Sequence, residues 1–212
     1  MTTKIKICGL TRPQDIETIN HLGVDLAGFV FYKPSPRHLT EDQAAGLASK
    51  CARHIERVVL LVDPDNDMLD TALACVSPHH IQLHGHETPE RVAEIRSRSH
   101  CQIIKALPVS SADDIAKAQD YKGLADWFLF DAKPPEDGLP GGNGETFDWA
   151  LLNAYDGAQP YLLAGGLRAD NVAEALRITH APMVDISSGV EAAPGEKDAE
   201  LMSQFVTAVR AG

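Results

Sequence analysis

The sequence predicts an α/β chain folded as a single (β/α)8 barrel over residues 1–212, because short apolar, β-branched runs alternate with longer amphipathic ones from end to end and eight of the short runs can be counted. Strand–helix repeats with near-continuous apolar strands demand a parallel sheet covered by helices, and eight of them suggest closure. An open doubly wound sheet is the alternative. Against it, the GLT that follows the first strand is a poor nucleotide fingerprint, and no Gly-rich loop opens the first helix.

The strands expected in order are IKIC (5–8), LAGFVF (26–31), RVVLLV (57–62), HIQLH (80–84), QIIKAL (102–107), WFLFD (127–131), YLLAG (161–165) and MVDIS (183–187). Helices with readable starts lie between most of them. Thr40 and Gln43 have capping-box spacing, Thr88 reads as an N-cap followed by Pro89 at the first helical position, and Asp170 reads as the cap of NVAEALRI. The closing repeat, EKDAELMSQFVTAVR, places Leu201, Phe205 and Val209 at i, i+4 and i+8 and reads as an amphipathic helix. The long interruption over residues 132–149 is too rich in Pro and Gly for regular structure before a short helix around FDWALL, and loops of that length are commonly functional.

Nineteen Lys and Arg against thirty Asp and Glu give a formal charge of -11, which argues against nucleic acid or an anionic membrane surface as partner. An anionic small molecule would then need local donors. No run approaches the roughly 20 apolar residues of a membrane span, and MTTKIKI lacks the centre of a signal peptide, so a cytoplasmic location is the expectation. Cys8, Cys51, Cys75 and Cys101 are far apart and form no metal-ligand spacing, which suggests reduced thiols and no structural metal.

In a parallel barrel the loops after the strands share one face, and chemistry is assembled there from residues remote in sequence. Cys8 ends the first strand, and Asp131 ends the apolar run WFLF. Alone, Cys8 reads first as a small buried hydrophobe, and Asp131 reads equally as catalytic or as a structural partner of Lys133. Together a thiol and a carboxylate across one mouth make a pair of proton carriers. Gly165 and Gly166 in AGGL, with Ser187, Ser188 and Gly189 in SSGVE, have the composition of an anion cradle on consecutive repeats, supplemented by a short helix starting near Val190. Arg37, between Pro36 and His38, can present a planar fork to a carboxylate. Gln82 and His84 share a strand face toward the mouth, where Lys105 and Asp63 read as a pair.

The stretches KICGLT, FVFYKPSPRHLT, QLHG, FLFDAK, GGNGETFDW, LAGGL and VDISSGVEAAPGEKD occur in an order and spacing that resembles the phosphoribosylanthranilate isomerase family over nearly the whole chain. The resemblance implies a (β/α)8 barrel that converts N-(5-phosphoribosyl)anthranilate into the 1-deoxyribulose 5-phosphate by an Amadori rearrangement, without metal or organic cofactor. Carried onto matching positions, it implies Cys8 as general base, Asp131 as general acid, and Arg37 on the anthranilate carboxylate. It further implies Gln82, His84, Gly142, Gly144 and Asp185 on the substrate, and Gly165, Gly166, Ser187, Ser188 and Gly189 on the phosphate. Asn143 and Glu145 depart from the Thr and Lys common in that lid. A phosphosugar epimerase, the histidine-pathway ribonucleotide isomerase and a noncatalytic phosphate-binding barrel are the rival readings, and monomer and homodimer both remain open. Cys8 counts against the first two rivals.

Overall fold

The computed structural model describes residues 2–133, 141, 144 and 146–211. Eight strands, β1 (Lys4–Cys8), β2 (Leu26–Phe31), β3 (Glu56–Leu61), β4 (His80–Leu83), β5 (Gln102–Val109), β6 (Trp127–Ala132), β7 (Tyr161–Leu163) and β8 (Met183–Ile186), close in sequence order into a barrel. Every neighbouring pair is parallel, and β1 pairs with β8 to seal the seam. The strand register of the sequence is thus recovered with ends shifted by a residue or two. The chain leaves β7 at Leu163 because Gly165 and Gly166 take the left-handed conformation, at φ +85° and +58°.

Side chains along each strand alternate between two apolar layers. Leu26, Val58, Ile104, Leu129, Leu162 and Met183 belong to one cluster that fills the barrel. Ile5, Ile7, Phe29, Val59, Ile81 and Ile103 point the other way and meet the helices. Fully burying one such side chain stabilises the fold by about 1.5–3 kcal/mol.

The covering helices are α1 (Pro13–Leu22), α2 (Glu41–Ala48), α3 (Asn66–Val76), α4 (Pro89–Arg98), the short α5 (Ala112–Ala116), α6 (Val172–Thr179) and α7 (Ala199–Ala211). Thr40 and Gln43 do form a capping box on α2, and Thr88 caps α4 by accepting from Arg91 N. Among the described residues between β6 and β7, a 3-10 turn, Trp149–Ala154, is what covers the sheet. Tyr155 supports that thin wall, with its ring edge-on to Phe130 at 5.3 Å and to Tyr161 at 5.7 Å between centroids.

Three local expectations fail. Asp170 does not cap α6. The residue before that helix is Asn171, whose amide is spent on the loop after β7, accepting from Arg168 N at 2.8 Å and donating to Gly166 O at 3.0 Å. The final helix begins at Ala199, because Glu196–Lys197 (β10) pairs antiparallel with Glu191–Ala193 (β9) in a hairpin. Leu201 is accordingly exposed, and Met202 and Val206 join Phe205 and Val209 on the buried face.

Candidate active site

The ends of the strands surround one cavity, and its walls contain Cys8, Arg37, Gln82, His84, Asp131, Gly144, Gly165, Gly166, Asp185, Ser187, Ser188 and Gly189. Every described residue with an expected catalytic, substrate or phosphate role is therefore on a single surface. Gly142, Asn143 and Glu145 lie outside the described residues. Among the described residues, no group of three or more His, Cys, Asp and Glu side chains is arranged to hold a metal ion.

On one side Cys8 is nearly closed off, at 4 % exposure. It occupies the end of β1 where the register pairs it with Gly28, and a Cβ on Gly28 would stand 2.9 Å from the sulfur. Burial is the strongest influence on the thiol and pushes it above its ordinary range, while the neighbouring Lys6 ammonium pulls it back. Lys6 is fully buried inside the barrel, and its Nζ donates to Asp185 Oδ1 at 2.9 Å. Burial opposes the charge on Lys6, but Asp185 and the Cys8 sulfur outweigh it and hold the ammonium above the usual lysine range. Asp185, expected to face substrate, thus reaches the cavity already paired.

On the opposite side Asp131 accepts from Ala132 N through Oδ1 at 2.9 Å and has His84 Nε2 at 3.4 Å from Oδ2. His84 Nδ1 takes the amide of Gln82 at 2.8 Å. With an amide N–H donating to Nδ1, the ring proton falls to Nε2, which stands near the carboxylate without a formed hydrogen bond. His84, not Lys133, is therefore the neighbour of Asp131; Lys133 is exposed as the chain leaves the strand. Lys105 also departs from expectation. Its ammonium pairs with the buried Glu87 at 2.7 Å and donates to Gly85 O, whereas Asp63 accepts from His86 N.

The expected anion cradle brings the loops after β7 and β8 together. Gly189 packs directly on the Leu167 carbonyl, leaving no room for a side chain. A short 3-10 turn, Ser188–Val190, ends where the sequence suggested that a helix would start. An anion in this cradle would accordingly meet backbone N–H groups and the Ser188 hydroxyl, since Ser187 Oγ already donates to Cys8 O at 3.1 Å, with little contribution from a helix dipole.

Arg37 is held by Glu191 in a side-on bidentate pair, Nε to Oε1 and Nη2 to Oε2, both 2.8 Å. The Glu191 Oε1 also accepts from Lys197 Nζ at 2.7 Å. Burial resists charge on Glu191, yet Arg37 and Lys197 outweigh it and keep the carboxyl below its ordinary range. Sequence reasoning missed Lys6, Gly28, Glu191 and Lys197. Lys6 carried a usable signal, since in KIKIC it alternates in phase with Cys8 and so had to share its face. Gly28 is brought to Cys8 by the β1–β2 register, and Glu191 and Lys197 become visible only when the β9–β10 hairpin folds.

Residues 5–208 match the family model described as N-(5'phosphoribosyl)anthranilate (PRA) isomerase. The N-(5'-phosphoribosyl)anthranilate isomerase of Azorhizobium caulinodans is 49% identical over 212 residues, covering 100% of this chain and 93% of that one. Among solved structures, phosphoribosyl anthranilate isomerase from Thermotoga maritima superposes with a TM-score of 0.88 at 31% identity, with both chains fully covered. A phosphoribosyl anthranilate isomerase in complex with reduced 1-(o-carboxyphenylamino)-1-deoxyribulose 5-phosphate gives 0.85 at 29%, again over 100% of each chain.

Proposed function

The chain belongs to the N-(5'-phosphoribosyl)anthranilate isomerase family, and from that premise we propose how its residues divide the reaction. It is an aldose–ketose isomerase of tryptophan biosynthesis that carries out the Amadori rearrangement of N-(5-phosphoribosyl)anthranilate. The observation that carries the division of roles is the position of Cys8 and Asp131 on one cavity that also contains Arg37 and both Gly-rich loops.

Asp131 gives a proton to the furanose ring oxygen as the bond from that oxygen to C1 breaks, which leaves the open-chain iminium. Cys8 as thiolate then takes the proton from C2, and the electron pair of that C–H bond forms the C1=C2 bond of a neutral enolamine. The enolamine gains a proton at C1 and loses the one on its C2 hydroxyl, giving the ketone. In the unliganded site burial favours the neutral thiol, so the developing iminium charge is what favours the thiolate where it is needed. His84 stands beside Asp131, and Gln82 orients its ring.

Gly165, Gly166, Ser187, Ser188 and Gly189 hold the phosphate, Arg37 holds the anthranilate carboxylate, and Asp185 faces the sugar hydroxyls while anchored on Lys6. Gly144, on the cavity wall, contacts the substrate. The reaction draws on no cofactor, and the whole chain acts as one catalytic domain. No helix among the described residues is long and apolar enough to cross a membrane, and a cytoplasmic location fits a biosynthetic enzyme. The test is turnover of the anthranilate ribonucleotide by purified protein. Phosphate binding without turnover would favour a noncatalytic barrel.

A further inference from the structure

Arg37 is expected to grip a substrate carboxylate, yet it already holds one. Glu191 occupies the Nε and Nη2 edge of the guanidinium, and the side chains of both residues are close to buried, at 11% and 5% exposure. An arginine matched one to one with a buried carboxylate is a neutral pair, and a second carboxylate brought to its free edge would be repelled by the first. The site therefore needs another positive charge.

That charge is on Lys197. Its side chain is completely buried, and it donates to Glu191 Oε1 at 2.7 Å, to Ser187 O at 3.0 Å and to Ser187 Oγ at 3.2 Å. Burial outweighs Glu191 and holds Lys197 below the usual lysine range, but three acceptors around one nitrogen call for three N–H donors, which is the ammonium form. Two buried cations thus share one carboxylate, leaving one unit of positive charge at a cavity wall. The hairpin that presents Lys197 is fastened at two points. Thr11 Oγ1 donates to Gly195 O at 2.5 Å, and Arg12 donates to the Lys197 carbonyl. Buried ion clusters of this kind contribute little net stability over well-packed apolar side chains, so their charge calls for another explanation.

We propose that Lys197 is a positioning and specificity-determining residue that acts through Glu191: by offsetting the Glu191 charge it leaves the Nη1 and Nη2 edge of Arg37 free to bind the aryl carboxylate of the substrate. The inference rests on the isomerase reading for the identity of that carboxylate. Lys197 touches no reacting atom. Its role is electrostatic, and charge balance at the triad sets affinity for the carboxylate.

The test is calorimetric and needs no turnover. The probes are the reduced product analogue, reduced 1-(o-carboxyphenylamino)-1-deoxyribulose 5-phosphate, and the same compound lacking the aryl carboxylate. Lys197→Met is expected to weaken the carboxylated probe by about tenfold or more and the other by less than about threefold, since a charge-assisted contact is at stake in only one of them. Adding Glu191→Gln to Lys197→Met restores the positive charge on Arg37 and brings the carboxylated probe back to within about threefold of the parent. Equal loss for both probes would assign Lys197 to the phosphate loop through Ser187, and no recovery in the double variant would make its role merely structural; either result overturns the proposal. If Lys197→Met does not fold, Glu191→Gln alone decides with the opposite sign: affinity holds or improves, and weakening by about tenfold overturns the idea. Absence of turnover by the parent protein would defeat the isomerase reading, while the two-probe comparison judges the charge balance separately.

Discussion

Gly28 lies so close to Cys8 that a Cβ added to it would stand 2.9 Å from both the Cα and the sulfur of the cysteine. The cause is the parallel register of β1 and β2, which puts the two residues side by side inside the barrel. A methyl group here meets the sulfur before it meets anything that can yield. Gly28→Ala is therefore expected to displace the thiol and reduce kcat by about 10²-fold, since misplacement of a reacting group by about 1 Å costs that much. Overpacking would destabilise the barrel by about 1–3 kcal/mol. Steady-state kinetics beside a thermal melt check this; full activity would show that the thiol's position is not critical.

Lys6 makes the thiol's environment testable through pH. Burial raises the Cys8 thiol, Lys6 and, less strongly, Lys197 lower it, and Asp185 raises it. Lys6→Met removes the larger lowering influence, leaves that of Lys197 in place, and leaves Asp185 unpaired beside the sulfur, so both consequences of the change move the thiol upward. Because the thiolate is the base, kcat/KM rises with pH through this ionisation, and the rise is expected at more alkaline pH in Lys6→Met. A profile that does not move would separate Lys6 from the base. The unpaired Asp185 also costs stability, about 3–5 kcal/mol for breaking a buried pair.

The thiol itself is tested by isosteric replacement. Cys8→Ser and Asp131→Ala are expected to fold normally and each lose about 10²–10⁴ of kcat, as positioned acids and bases do. Cys51→Ser, Cys75→Ser and Cys101→Ser should leave kcat unchanged, because these thiols pack outside the barrel mouth. Retained activity in Cys8→Ser would reduce the cysteine to packing, since a serine hydroxyl does not ionise near neutrality.

Much of this organisation was legible in the chain because it is local. A strand two-sided in its burial reads as a continuous apolar run, and Thr40 with Gln43 reads as a cap, whatever the rest of the molecule does. Asp170 failed where a tertiary demand intervened: Asn171 serves the loop after β7 in place of the helix. Leu201 failed because the buried face of the last helix runs through Met202, Phe205, Val206 and Val209, and Leu201 in its first turn lies beside that stripe. In the site, strand-end position found Cys8 and Asp131. The partnership of Arg37, Glu191 and Lys197 joins Arg37 to a glutamate 154 positions away, and no spacing rule reaches that far.

The proposed proton path also predicts where solvent hydrogen enters the product. Removal of the C2 proton by Cys8 and formation of the C1=C2 double bond leave C1 as the carbon that must be protonated for the ketone to form. In deuterated solvent, one deuterium is therefore expected at C1 of the product, and hydrogen originally at C2 should be absent from that carbon. A substrate labelled with deuterium at C2 should show a primary isotope effect on kcat if proton removal limits turnover, and Cys8→Ser should enlarge the effect where that step has become slower. The alternative is a direct shift of hydride from C2 to C1, which needs no base. It would carry the C2 label quantitatively to C1 and admit no solvent hydrogen, and nuclear magnetic resonance of the isolated product distinguishes the two. Transfer of the C2 label would leave Cys8 without its role as base.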